Sequence, residues 1–116
     1  MNADYSDRRF QLWEYRVSHG SLLIRSPRGL DATRSVDFIF VGVEYLAVPR
    51  VFRGLSLDAH RESDRVAVTA EFGPFEIDRL RVLVSAGKRF PIVAAGLRVE
   101  EHEGDIFDSP FAERTN

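Results

Sequence analysis

Apolar and polar residues alternate along most of this chain, in short runs broken by Gly, Pro, Ser and Asp, a pattern of β-strands joined by tight turns. Phe10–Ser18 and Ser21–Ser26 read as a hairpin around His19-Gly20. A two-residue turn there would place Val17 opposite Leu22 and Tyr15 opposite Ile24, with Trp13, Tyr15, Val17, Leu22 and Ile24 on one face. The other face would set Glu14 across from Arg25, an opposite-charge cross-strand pair.

Val36–Val48 is rich in β-branched and aromatic residues and nearly continuous in apolarity, which predicts a central strand covered on both sides. Gly42 within it suggests a bulge or bend, and Pro49 stops it. Arg50–Arg53 before Gly54 predicts a single helical turn, and Leu55–Ala59 a short strand with Leu57 inward. Ser63–Gly73 carries two signals. Val66, Val68, Ala70 and Phe72 alternate like a strand, while Ser63 as N-cap, Asp64 in the first turn, Gly73 and Pro74 punctuate a helix. The punctuation is the more specific, so a short helix is expected.

Leu80–Ser85 and Phe90–Val99 predict a second hairpin across Ala86-Gly87-Lys88, aligning Leu80, Val82 and Val84 with Ala94, Ile92 and Phe90. Pro91 in its second arm implies an edge strand or a bulge. The expected fold is mainly β: about six mostly antiparallel strands in a rolled sheet or small barrel, with one or two short helices.

Length fits a single domain spanning residues 1–116, with Met1–Arg9 and Ala112–Asn116 expected as frayed tails. The chain has no cysteine, which rules out disulfides, thiol catalysis and cysteine metal sites. Its N-terminus lacks the apolar stretch of a signal peptide, and no run is long enough to span a bilayer, so a soluble cytoplasmic protein with no membrane partner is expected. Sixteen basic residues face eighteen acidic ones, without the basic excess of a nucleic-acid footprint. All but one of the basic residues are Arg. This fits ion-pair or anion recognition, though GC-rich codon usage explains it more simply.

The segments Leu12–Pro27 (LWEYRVSHGSLLIRSP), Phe38–Leu55 (FIFVGVEYLAVPRVFRGL) and Arg89–Phe111 (RFPIVAAGLRVEEHEGDIFDSPF) resemble those of a family of small uncharacterised bacterial proteins. The resemblance covers roughly half the chain and implies a bacterial source and a free-standing protein. It implies no activity, ligand or site residue.

Among chemistry-bearing residues, Glu100-Glu101-His102-Glu103-Gly104-Asp105 is the most metal-like run. On a strand, however, Glu101 and Glu103 share one face and His102 the other, so no tight metal site is expected and the run reads as a solvated strand end. Glu44 interrupts the most apolar strand, where a carboxylate must pair, protonate or reach solvent. With Tyr45 and Arg50 it forms the candidate ligand-binding set, and Arg16, Arg25, Arg50 or Arg98 is its expected ion-pair partner. His19 and His60 read as a turn and a solvated strand end. The aromatics Trp13, Tyr15, Phe38, Phe40, Tyr45, Phe52 and Phe90 suit either a core or stacking platforms for single strands. Asp105–Phe111 carries Ile106 and Phe111, which would either fold back over the core or present a contact patch.

No catalytic fingerprint, phosphate-cradling loop or cofactor motif is present, so neither a catalytic residue nor a cofactor is expected. Two functions fit. One is a non-catalytic module binding a protein partner, in the manner of an inhibitor or immunity protein, with room for a homo-oligomer. The other is a small enzyme or ligand-binding barrel with a pocket at Glu44 and Tyr45.

Overall fold

A computed structural model describes residues 5–29, 33–105 and 107–111. The protein is mainly β, a seven-stranded antiparallel sheet curled into a half-barrel. The strands are β1 (Arg9–Arg16), β2 (Ser21–Ser26), β3 (Ser35–Leu46), β4 (Val51–Arg53), β5 (Ser56–Asp58), β6 (Leu80–Ser85) and β7 (Lys88–His102). One helix, α1 (Glu62–Phe72), intervenes between β5 and β6. The sheet order is β4-β1-β2-β3-β7-β6-β5. No helix among the described residues is long and apolar enough to cross a membrane.

The two sheet edges are consecutive in sequence. β4 pairs with β1 and β5 with β6, yet only Gly54 and Leu55 separate β4 from β5. The half-barrel is therefore drawn together by the chain itself. Ser85 locks this seam by donating its hydroxyl to the carbonyls of Arg53 and Gly54, at 3.1 and 2.7 Å. Gly54 donates its amide to Arg8 O at 2.7 Å. Its φ of +74° lies in the left-handed region, and a Cβ there would stand 2.6 Å from the Ser6 carbonyl oxygen. Only glycine fits.

The inside of the curl is filled by Phe10, Leu22, Ile24, Val36, Phe38, Phe40, Phe52, Leu55, Leu83, Ile92 and Ala94. Outside, Val68 of α1 packs on Leu80, Val82 and Val93, with Tyr45 and Phe75 at the margin. β3 serves both sides because Gly42 (φ +62°) bends it, and a bulge between Val43 and Tyr45 shifts its register against β7. Val43 thus faces the inner core and Tyr45 the helix side.

The first hairpin forms in a different register. Tyr15 pairs with Leu22, Leu12 with Ile24 and Glu14 with Leu23, while Gln11 and not Glu14 stands opposite Arg25. A bulge at Trp13 and a 3₁₀ turn over Val17–His19 absorb the difference, and Val17 is left 83% exposed. The second hairpin turns on two residues. Ala86 (φ 51°) and Gly87 (φ 75°) form the loop, so Ser85 pairs with Lys88 and Val82 with Pro91. Both positive φ values give a type I′ turn, which matches strand twist better than a three-residue loop.

Pro91 lies on a central strand, not an edge. Counting from the tight turn, Val82 and Pro91 form a non-hydrogen-bonded pair, so the missing N–H leaves the β6 ladder intact. Its carbonyl accepts from Ala47 at 3.0 Å. Arg50–Arg53 is no helical turn, because Phe52 enters the core while Val51–Arg53 pairs with β1. The helix begins two residues earlier than its expected Ser63 cap implies. Arg61 is the N-cap, and Asp64 Oδ2 accepts its amide at 2.7 Å.

Candidate functional site

The curl leaves an open cavity of about 850 Å³ beside the seam. Chain entry supplies Tyr5 and Ser6, the β4–β5 link supplies Gly54 and Leu55, β5 supplies Ser56 and Leu57, and the β6 end supplies Val84–Ala86. Phe38, Val99 and Glu101 complete the wall. Cross-strand partners share a face, and Leu57 stands opposite the core residue Leu83, while Val99 stands opposite the core residue Phe38. Both therefore point inward as a core residue would. They nevertheless remain 44% and 38% exposed, since no described residue fills the space before them.

The lining mixes apolar side chains with the polar or charged residues Tyr5, Ser6, Arg53, Ser56, Ser85 and Glu101. Tyr5 donates its hydroxyl to Glu101 Oε2 at 2.9 Å and packs edge-on against Phe10 and Phe38, with ring centroids 6.0 and 6.1 Å away. Burial, reinforced by the Glu101 carboxylate, pushes the Tyr5 phenol up, so it stays a proton donor. Ser85 spends its hydroxyl on the seam. Arg53 lines the wall, but Phe52 beside it enters the core, and alternation turns the Arg53 side chain the other way.

A second polar constellation lies under the C-terminal segment. Arg25 and Asp37 are both buried on the outer face, with Nε donating to Oδ1 at 2.7 Å and Nη2 to Oδ2 at 2.9 Å. His102 Nε2 lies 2.9 Å from Asp37 Oδ2; the carboxylate only accepts, so Nε2 carries the proton in this contact. Three arginines then hold main-chain carbonyls of the segment across the sheet. Arg28 donates to Gly104, Arg25 to Asp108 and Arg16 to Phe111, at 3.1, 2.7 and 2.9 Å. Ser109 donates to Glu14 Oε1, and Arg16 to Glu14 Oε2. Burial pushes the Glu14 carboxyl up, but these hydrogen bonds outweigh it and hold Glu14 below the usual carboxylate range. The segment folds back as a strap. Ile106 lies outside the described residues, Phe111 is partly covered, and Phe107 stays 76% exposed beside Trp13.

The candidate set drawn from the sequence falls elsewhere. Glu44 sits on the β3 bulge, exposed, and accepts from Arg79 Nη1 at 3.0 Å. Its partner is none of the four arginines expected, because the bulge aims it at the 3₁₀ turn Ile77–Arg79. Tyr45 stacks on Phe72 of α1, with centroids 5.4 Å apart. Arg50 is exposed and offers its carbonyl to the Leu12 amide. None of the three lines the cavity.

The acidic run divides as strand geometry requires, Glu101 toward Tyr5 and His102 toward Asp37. Phe38, Phe40 and Phe52 are core, and Phe90 packs against it. His19 lies in the first turn, and His60 is exposed before α1. Tyr5 was hidden in the stretch expected to fray, and Asp37 showed only as an interruption in an apolar strand. The chain matches no family model, no curated protein and no solved structure.

Proposed function

We propose that the protein is a non-catalytic binding module whose ligand is a small amphipathic molecule held in the seam cavity. One observation carries this reading: inward-facing Leu57 and Val99 stand exposed around a space of about 850 Å³. That volume lies within the range of small-molecule sites, which are mostly apolar with a few placed polar groups. Apolar side chains left wet inside a concavity favour an occupant that dries them.

Binding without chemistry is the better account of the lining. It holds no histidine, its Ser85 hydroxyl is committed to carbonyls, and its Tyr5 phenol is held protonated. A protein partner would call instead for a flat face, whereas the sheet's open end is concave.

The test is a fragment screen by thermal shift on the wild type and on Val99→Trp, whose indole would occupy the cavity. Fragments that raise the melting temperature of the wild type and not of the variant support the reading. Hits that stabilise both proteins equally, or no hit that shifts the amide resonances of Leu57, Ala86 and Val99, would overturn it.

A further inference from the structure

The cavity's polar groups point to the charge of its occupant. We propose that the site takes an apolar molecule bearing an ammonium head, seated against Glu101 and the ring of Tyr5. This rests on the cavity reading above and goes one step further.

Among the described residues, Glu101 is the one lining residue whose charged side chain shares a face with the cavity wall, since it alternates with inward-facing Val99. Only its Oε2 is engaged, by the Tyr5 hydroxyl, and Oε1 remains to accept from a ligand. The nearby cations are turned to other work. Arg8 donates to Ser26 Oγ, Ser26 O and Arg34 O, and Arg34 donates to the main-chain carbonyl of Glu101. Neither lines the cavity.

An ammonium group is three donors and no acceptor, which suits a wall offering a carboxylate oxygen beside an aromatic ring. A ligand carboxylate would meet Glu101 as a like charge, and Arg53, the cation among the described lining residues, follows core Phe52 on its strand and so turns to the other face. Leu57 and Val99 would cover the apolar body.

Three probes of one shape separate the possibilities: 4-phenylbutylammonium, 4-phenylbutan-1-ol and 4-phenylbutyrate, titrated by calorimetry with the amide spectrum followed in parallel. The ammonium should bind about tenfold or more tighter than the alcohol, the size of one charge-assisted contact, and the carboxylate weakest. In Glu101→Gln the ammonium preference should fall to within about threefold of the alcohol while the alcohol's own affinity holds. Glu101 is exposed, so the variant should keep its fold, which the amide spectrum verifies. Tyr5→Phe gives a second check: it removes the competing hydroxyl and keeps the ring, and should bind the ammonium at least as well. Carboxylate binding equal to or tighter than ammonium, or a preference that survives Glu101→Gln, would overturn the ammonium head and leave the cavity standing. Failure of all three probes to shift cavity resonances would overturn both.

Discussion

Asp37 and Arg25 meet as a two-pronged ion pair, with both side chains at most 2% exposed in the sheet's outer face. Such a pair repays its desolvation only when its geometry is good and its remaining groups are satisfied. Both conditions are met, because His102 takes the Asp37 edge and the Asp108 carbonyl takes Arg25 Nη1. The cation also stands over the Trp13 ring, 5.5 Å from its centroid.

Breaking that pair from the Asp37 side takes from buried Arg25 the carboxylate that it meets with two hydrogen bonds. Asp37→Asn is expected to lower unfolding stability by about 3–5 kcal/mol, read by urea melts. Pairing Asp37→Leu with Arg25→Met should lose less than the two single changes summed, since neither charge is then stranded. An Asp37→Asn protein that melts with the wild type would show the pair to be incidental.

Glu44 behaves oppositely. Its ion pair with Arg79 is open to solvent on both sides, where such pairs contribute little. Glu44→Gln should change stability by less than about 1 kcal/mol and leave cavity binding intact. A loss comparable to that of Asp37→Asn would mean that Glu44 holds more than Arg79.

These two acidic residues show where sequence reading succeeds and where it stops. The apolar density of Val36–Val48 identified a central strand, and the Gly73-Pro74 stop identified α1 against a competing alternation. Both signals are local. Which acid in the strand is buried depends on a bulge that turns Glu44 outward and on a strap, eighty-three residues from Arg25 in sequence, that covers Asp37. Hairpins were legible and their registers were not. The bulge at Trp13 and the left-handed Ala86 carry no compositional mark, since an alanine there is disfavoured by its own Cβ. The cavity was hidden for a topological reason. It exists because two sheet edges meet at Gly54-Leu55 and because Tyr5 reaches Glu101 across ninety-six residues.

That seam should be sensitive to one methyl group. Gly54→Ala forces a side chain onto a φ of +74° and drives its Cβ against the Ser6 carbonyl, backbone that cannot swing aside. The expected loss is on the order of 2–4 kcal/mol, combining left-handed strain with overpacking. Ser85→Ala removes a hydroxyl proton shared between two carbonyls of the same seam without new strain and should cost about 1–2 kcal/mol. Thermal melts showing the serine change to be the more severe would place the strain elsewhere.

Acid should unpick the other end of the molecule first. Arg89 of β7 donates from Nη2 to Asp64 Oδ2 at 2.7 Å, from Nη1 to Asp58 Oδ2 at 2.7 Å, and to the Ala59 carbonyl, so one guanidinium ties the hairpin to the start of α1. Hydrogen bonding from Arg89 holds the Asp64 carboxyl below its usual range, against the opposing effect of burial. An aspartate in the unfolded chain ionises near about 3.9. Because the folded value is lower, the unfolded chain takes up protons first as pH falls. The stabilisation is therefore complete above the unfolded value and is lost as pH drops through the folded one. Asp64→Asn tests this cleanly, since an amide oxygen can still accept the Arg61 amide and keep the cap, while the charge is gone. At pH 7 the variant should be less stable by roughly 1–3 kcal/mol, the worth of a charge-assisted hydrogen bond. The gap should hold down to about pH 5, narrow below about pH 4, and go on closing as pH falls through the lowered folded value. Glu62→Gln is the control: Glu62 pairs with Arg65 on the exposed side of the same helix turn, and its loss should leave the acid limb of the stability curve almost unmoved. A gap between the wild type and Asp64→Asn that stays constant from pH 7 to pH 2 would show that the Asp64 charge contributes nothing, and that the aspartate serves only as a cap.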